Sequence, residues 1–378
     1  MMNKRLVAAS FGFLLVGAFV DNARGPLLPV FRELLHLSHS QTSALLVAGY
    51  IISVFCSGSF MPLMNRYGEQ AVAIATAVFA LFACGYAFYV RSFSTFVVFG
   101  VLLGGVLSGF GACANVLILQ AVPVAKQARL LCALHAMYGF GSLAAPLAVS
   151  GILVWGWAWP WTLAIVPPIG TAITLYYLIR ARGFGEVHPR AVQSKKLSLF
   201  QCVLLLTMGG YVGGEVTLSM WLPTYLVETA GLSVAQTSPY ASGFFLAMAL
   251  SRLVCLFTLR TEWEWPLLGF SLLMAFLGFF AGRAGYSVGF AMAGLMGPFF
   301  PIFMARLSRN FPNQWRSLTL WILVAMQVTL ALCHFSIGRL TDAVGISNAY
   351  WLPVFFFAIA SAGLLIFYRW ERKSLAPL

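Results

Sequence analysis

Acidic residues are scarce in this chain. Its 378 residues include only 10 Asp and Glu against 23 Lys and Arg, and charged residues make up 9% of the sequence, whereas 61% of it is hydrophobic. An average soluble domain has about 25% charged residues. The composition therefore excludes an ordinary water-soluble protein and predicts an integral membrane protein.

Sequence patterns of enzymes and of ATP-driven pumps are also missing. The chain has no glycine-rich phosphate loop, no paired His-Glu helix motif and no serine elbow. Its seven cysteines fall in apolar stretches without metal-ligand spacing. We therefore predict neither an enzyme nor a metal site, and no cofactor beyond a coupling ion.

Long hydrophobic runs dominate instead. A helix needs about 20 mostly apolar residues to cross a bilayer, and the chain holds twelve such runs. They lie approximately at 6–30, 41–64, 70–90, 94–121, 129–154, 158–180, 199–227, 236–258, 265–282, 286–307, 315–338 and 349–369. The predicted fold class is an all-α integral membrane protein with twelve transmembrane helices.

The net charge of +13 is unevenly distributed along the chain. With the N-terminus inside, most basic residues fall in inner loops and helix ends, and only Arg32, Arg91, Arg283 and Arg339 fall in outer loops. An excess of Lys and Arg marks the cytoplasmic side. We therefore predict a multi-pass protein of the plasma membrane (cell inner membrane) with both termini cytoplasmic, and we expect no nucleic-acid partner.

The longest polar stretch divides the chain near its middle. It runs from Arg180 to Ser198 and contains the Lys195-Lys196 pair. This predicts an N-terminal six-helix bundle at 1–181, a basic cytoplasmic linker at 182–198 and a C-terminal six-helix bundle at 199–378. In transporters with two such halves, solute binds between them near the midplane.

Several short motifs together resemble a known family. They read MPLMNRYGEQ (61–70), GACANVL (111–117), LHAMYGFGSLAAPL (134–147), YVGGEVTLSMWLPTY (211–225), SRL (251–253), GPFFP (297–301) and GRLTD (338–342). The chain resembles the major facilitator superfamily, and within it the fucose-proton symporter branch and its sodium-dependent glucose transporter-like relatives. The resemblance implies two six-helix bundles, alternating access and proton-coupled symport of a sugar or another small polar organic solute.

The chain departs from this family pattern at particular positions. Asn65 stands where the loop after the second helix usually carries an acid, so the resemblance implies no gating salt bridge there. Ala112 and Cys113 stand where relatives commonly have an acid before the Asn. The sugar site of relatives is therefore not carried over residue by residue.

The pair Asp21 and Arg24 lies inside the first apolar run. A charge at the centre of a membrane helix costs about 2.5 to 3.5 kcal/mol on insertion scales, so such residues face a cavity or one another. A spacing of three places both on one helix face and predicts an ion pair. Either Asp21 takes up a transported proton, or the pair is permanent and structural.

Glu215 is the second carboxylate within an apolar run, and no basic residue lies within one helical turn of it. Small and hydroxyl-bearing residues surround it in the sequence. We predict that Asp21 and Glu215 couple transport to a proton, with sodium as the alternative ion. A structural hydrogen bond to the backbone is the other interpretation of Glu215.

Further polar and aromatic residues fall in central parts of the predicted helices. The predicted solute-binding residues are Asn22, Asn115, His135, Tyr138, Tyr211, Trp221 and Gln327. His334 shares a helix face with Gln327, and we favour a structural role for it. Arg252 is expected to anchor the inner ends of helices.

The predicted function is secondary active transport by a monomer in the lipid bilayer. The alternative is a proton-driven exporter of amphipathic or drug-like compounds. Residues 141–146 favour this alternative, because they faintly resemble a Gly-Pro signature of antiporters.

Overall fold

The computed structural model describes residues 3–181, 197–312 and 314–375. Within these ranges the chain is helical and has no β-strand. The α-helices are α1 (Lys4–Leu34), α2 (His39–Ser57), α3 (Phe60–Tyr67), α4 (Glu69–Tyr86), α5 (Phe93–Ala121), α6 (Val124–Val154), α7 (Pro160–Ile179), α8 (Leu199–Ala230), α9 (Val234–Thr258), α10 (Glu264–Arg283), α11 (Val288–Met292), α12 (Phe299–Asn310), α13 (Trp315–Val344), α14 (Ile346–Ala349) and α15 (Leu352–Leu375). Residues 182–196 of the predicted linker lie outside the described residues, and so do both chain ends.

The predicted membrane segments correspond to these helices. Eleven helical segments of the described ranges are long and apolar enough to cross a membrane. The remaining predicted segment, 236–258, coincides with α9, a helix of 25 residues. The prediction of an all-α, multi-pass membrane protein is therefore confirmed.

Four long helices begin with the same local interaction. A serine before the helix accepts a hydrogen bond from the backbone N–H three residues on, while the side chain at that position bonds back to the serine N–H. This capping box satisfies two backbone groups that a helix start leaves unpaired. The residue pairs are Ser38 with Gln41, Ser92 with Thr95, Ser198 with Gln201 and Ser233 with Gln236.

Contacts between helices join the part of the chain before the linker, here the N-terminal half, to the part after it, the C-terminal half. The most extensive of these contacts in the described ranges are α2 with α13, α6 with α9, and α1 with α8, and α1 also contacts α9. Within the N-terminal half, α1 packs against α5, α6 and α7. The axis of the molecule is therefore lined by α1, α2 and α6 from one half and by α8, α9 and α13 from the other.

Glycine residues allow the backbones of α2 and α5 to pack in direct contact. A Cβ atom on Gly104 would overlap the main-chain carbonyl oxygen of Gly49, and one on Gly100 would overlap the carbonyl oxygen of Leu45. Close packing of small residues is a principal source of helix association in membranes. Because two of the three nearest atoms belong to the backbone of Gly49, a side chain at Gly104 could be accommodated only by moving α2 or α5.

We predict that Gly104→Ala lowers the melting temperature of the purified protein, because the added methyl group meets the backbone of α2. Overpacking of this kind costs about 1 to 3 kcal/mol. Gly151→Ala in α6 is the matched control, since a Cβ there meets no atom within 4 Å, and alanine favours helix more than glycine does. Thermal unfolding in detergent measures both, and equal melting temperatures would contradict the packing.

Candidate solute-binding site between the two halves

A small cavity lies at the centre of the structure, with a volume of about 170 Å³. Its lining comes from α1, α2, α5 and α6 of the N-terminal half and from α13 of the C-terminal half. The polar residues that line it are Asp21, Arg24, Tyr50, Ser53, Ser108, Tyr138 and Gln327. Typical small-molecule sites measure about 300 to 1,000 Å³, so this cavity is smaller than a typical site.

The charges of this cavity come from α1. Arg24 forms an ion pair with the carboxylate of Asp21, and its Nε donates to the Asp21 main-chain oxygen at 3.0 Å. The same guanidinium lies 3.4 Å from the Tyr50 hydroxyl. Arg24 is only 2% exposed. A cation this deeply buried requires such a partner, because an uncompensated buried charge is strongly destabilising.

The Asp21 carboxylate is also held from α6. The Tyr138 hydroxyl donates to its second oxygen at 2.7 Å. Asn22 donates to the Tyr138 hydroxyl at 3.3 Å and to Ser142 Oγ at 2.8 Å. Because both carboxylate oxygens have donors and one donor is a cation, Asp21 is electrostatically compensated in this conformation.

Glu215 lies on α8 in different surroundings. Its carboxylate interacts with the hydroxyl of Tyr211, one turn earlier, and with the guanidinium of Arg252 on α9. Tyr138 also lies close enough to Glu215 for an electrostatic interaction. The described residues place no Lys or Arg nitrogen within ion-pair distance of Glu215. The two predicted coupling acids therefore differ, since only Asp21 has a directly bonded cation.

Arg252 is a residue of this site to which the sequence interpretation gave only an anchoring role. Its side chain is partly exposed, and it interacts electrostatically with Glu215, Tyr211 and His135. Its position six residues before the end of α9, within an apolar run, is the sequence signal that could have identified it. A basic residue at that depth calls for a polar neighbour, as Arg24 did.

An aromatic cluster joins the halves beside the cavity. Trp221 Nε1 on α8 donates to His334 Nδ1 at 3.0 Å, and the His334 ring stacks on Tyr50 of α2 with the centroids 5.4 Å apart. Trp221 and His334 are both completely buried. His334 therefore has the hydrogen bond to a neighbouring helix that a structural role requires, and Trp221 is not accessible in this conformation.

The predicted solute-binding residues thus occupy three environments. Asn22, Tyr138 and Gln327 belong to the small cavity or to its hydrogen bonds. His135, exposed on α6, and Tyr211, buried on α8, belong to the group around Arg252. Asn115 donates within its own helix to the Gly111 carbonyl at 2.8 Å. Their roles in solute binding remain predictions.

Ionic contacts close one end of the interface, the end at which α1 terminates. Glu228 on α8 accepts from Arg32 at 2.8 Å and lies 2.8 Å from His39 Nε2. Asp342 on α13 lies 3.1 Å from His39 Nδ1 and accepts from the backbone N–H of Ser40 at 2.9 Å. Each of these contacts crosses between the halves. We call Arg32, His39, Glu228 and Asp342 the end cluster.

The end cluster suits a charged histidine. Both ring nitrogens of His39 face carboxylate oxygens, which are acceptors, and only the imidazolium form donates through both nitrogens. In the neutral ring one nitrogen is an acceptor, so one carboxylate would face the lone pair of that nitrogen and not a donor. His39 therefore links α2 of the N-terminal half to two carboxylates of the C-terminal half.

Comparison with known proteins was made on both sequence and structure. Residues 10–317 match the sequence model described as Major Facilitator Superfamily. A Bacillus subtilis protein named as a niacin/nicotinamide transporter, NiaP, is 26% identical over 207 residues, which are 50% of this chain and 49% of that protein. The cis,cis-muconate transport protein of Acinetobacter baylyi is 23% identical over 211 residues, half of each chain. This chain thus matches about half the length of these curated relatives.

Solved structures show the same fold. The D-xylose-proton symporter superposes with a TM-score of 0.75 at 15% identity, over 95% of each chain. The transporter FucP in its outward conformation gives a TM-score of 0.63 at 16% identity, over 95% of this chain and 98% of that one. Similarity at this level of identity establishes the fold.

We predict that Asp21→Asn and Arg24→Gln are each strongly destabilising, because each leaves one buried charge unpaired at a cost of roughly 3 to 5 kcal/mol. The double variant should melt at a higher temperature than the less stable single variant. Arg91→Gln, at an exposed position, is the control for loss of a charge. Simple addition of the two single losses would show that the residues do not interact.

We predict that His39→Ala opens the end cluster, because two carboxylates of the C-terminal half then lose a shared partner. The measurement uses Ser53→Cys, in the cavity, in a background without accessible native cysteines. The readout is the rate at which this cysteine reacts with an impermeant maleimide added at the end-cluster side. The rate should rise several-fold.

The control for this measurement is His36→Ala, at an exposed histidine between α1 and α2. An unchanged labelling rate in His39→Ala, or an equal increase in His36→Ala, would refute a closing role for His39.

Proposed function

Because the chain belongs to the Major Facilitator Superfamily and is a transporter rather than an enzyme, we propose that it works by alternating access and moves a small polar organic solute together with a proton. The observation that carries this proposal is the position of the polar residues. They lie at the interface of the halves, where the end cluster holds one end together through contacts that a rocking motion would break.

Several independent findings support a small organic solute. The motif resemblance favours a sugar or a related compound, and solved structures of the same fold include a xylose symporter. The sequence relatives are named for niacin/nicotinamide and for muconate. These compounds share a size of about one ring or six carbon atoms, and each has polar groups that a set of tyrosine, histidine, amide and arginine side chains can bind.

Glu215 is the proposed site of proton coupling. Asp21 already has Arg24 as a bonded countercharge, whereas Glu215 has only the Tyr211 hydroxyl and a more distant guanidinium. Burial of a carboxylate without a bonded cation is unfavourable, and a bound proton removes that cost. Glu215 therefore has more to gain from a proton than Asp21 does. Sodium is the alternative ion, and imposed gradients distinguish the two.

The proposed orientation follows from the basic loops. We place both termini in the cytoplasm and the end cluster on the outer side of the plasma membrane, because the inner loops hold most Lys and Arg. The end cluster then closes the outer face, and the conformation described is closed to the outside. The protein is proposed to act as a monomer in the lipid bilayer.

We predict that Glu215→Gln abolishes accumulation of solute against its gradient, because the amide imitates the protonated acid and cannot release a proton. Exchange of internal for external solute should persist. Uptake into proteoliposomes, across a panel of solutes under imposed pH or sodium gradients, measures both. Glu262→Gln, at an exposed acid, is the control, and full accumulation by Glu215→Gln would refute the assignment.

A further inference from the structure

We propose that Arg252 binds the carboxylate of the transported solute, so that the substrate is a small organic anion that enters with the proton held on Glu215. This inference rests on the proposed function and specifies its substrate class. Sugar acids and aromatic acids of one ring belong to that class, whereas neutral sugars do not.

The first argument is the missing partner of Arg252. The buried Arg24 is bonded to Asp21, and the buried Arg306 is bonded to Glu264 at 2.7 Å and to Glu371 at 2.6 Å. Within the described ranges no carboxylate lies at ion-pair distance from Arg252. An arginine inside the helical bundle without a bonded anion keeps its terminal nitrogens available for one.

The second argument is how Arg252 is held. Its Nε donates to the Gly297 main-chain oxygen at 2.9 Å. In a regular helix that oxygen would accept from the N–H four residues later, but the residue there is Pro301, which has none. The proline therefore frees a carbonyl group that fixes the guanidinium without neutralising its charge.

The backbone around this anchor is tightly packed. A Cβ on Gly297 would lie 2.7 Å from the Met248 carbonyl oxygen and 2.7 Å from Ser251 Oγ, both on α9. The segment that carries the Gly297 carbonyl group therefore packs tightly against α9, the helix that carries Arg252. Such support gives the guanidinium a fixed position, which a binding residue needs.

The third argument is the set of neighbours. The Tyr211 hydroxyl, which donates to the Met296 main-chain oxygen at 3.3 Å, also interacts electrostatically with both Glu215 and Arg252. His135, exposed on α6 of the other half, lies close enough to Arg252 for an electrostatic interaction. An anion on Arg252 would therefore be within reach of donors from both halves. Binding there can favour contact between the halves, as alternating access requires.

Charge balance explains how proton and solute would depend on each other. The charged or titratable groups that face Glu215 are Tyr211 on its own helix, Arg252 on α9 and Tyr138 on α6. When Glu215 is ionised, its charge offsets that of Arg252 and repels an anion. When Glu215 takes up a proton, Arg252 has a full positive charge, and a monocarboxylate restores neutrality. One proton and one monoanion then cross together with no net charge.

The test uses pairs of solutes that differ in the acid group. Proteoliposomes with an alkaline interior are given nicotinate or nicotinamide, and glucuronate or glucose. We expect the acid of at least one pair to accumulate and its neutral partner to remain at the background level. Uptake of the monoanion should be insensitive to an imposed membrane potential.

The variants separate binding from folding. Arg252→Gln should reduce acid uptake by about tenfold or more, as expected for loss of a hydrogen-bonded charge, and Arg252→Lys should restore part of it. The control is Arg260→Gln, at an exposed arginine beyond the end of α9. Because Arg252→Gln could also unfold the chain, a second measurement uses the unaltered protein, whose melting temperature should rise with the acid and not with its neutral partner.

The outcomes distinguish this inference from the proposed function. Equal uptake of acid and neutral partner, proton-driven uptake of neutral solutes alone, or unchanged acid uptake by a folded Arg252→Gln would overturn the role of Arg252 and leave proton-coupled transport standing. If no solute of a broad panel moves with a pH or sodium gradient, the proposed function fails and this inference fails with it.

Discussion

The cost of placing charge inside a membrane protein is the constraint on which this structure depends. The chain has only 10 acidic residues, and five of them, Asp21, Glu228, Glu264, Asp342 and Glu371, form the described ion pairs. The scarcity of acids and their use are therefore connected. Half of the acids thus serve a buried cation or a contact between helices. Of the described acids without an ion pair, Glu33, Glu69, Glu215 and Glu262, only Glu215 lies in the middle of a helix long enough to cross a membrane, and the proposed coupling role rests on that position.

Local sequence features predicted the elements and the shortest interaction. Apolar runs located the membrane segments, because a helix that crosses a bilayer needs about 20 mostly apolar residues. The spacing of Asp21 and Arg24 predicted their pairing because three residues return a helix to the same face. The break within the predicted segment 286–307 was missed, although Pro298 and Pro301 mark it, because the run is apolar throughout.

Long-range contacts could not be predicted in this way. His39 meets carboxylates 189 and 303 residues away, and no local pattern identifies which loop faces which. The contact that holds Arg252 could not be predicted for a related reason. Its hydrogen-bond partner is a main-chain oxygen freed by a proline on another helix, and main-chain groups have no signature in side-chain patterns. The site thus depends on tertiary structure more than the fold does.

The two ways of holding an arginine lead to different chemistry. A carboxylate bonded to a guanidinium, as Asp21 is to Arg24, neutralises it and competes with any anionic solute. A carbonyl oxygen such as that of Gly297 satisfies one donor, fixes the side chain and leaves the net charge in place. The contacts of the end cluster are partly exposed, and such pairs contribute only about 0 to 1 kcal/mol each, so their closure is readily reversed. In the proposed mechanism, the fixed cation of Arg252 and weak closure at one end together allow a bound anion to determine which conformation the transporter adopts.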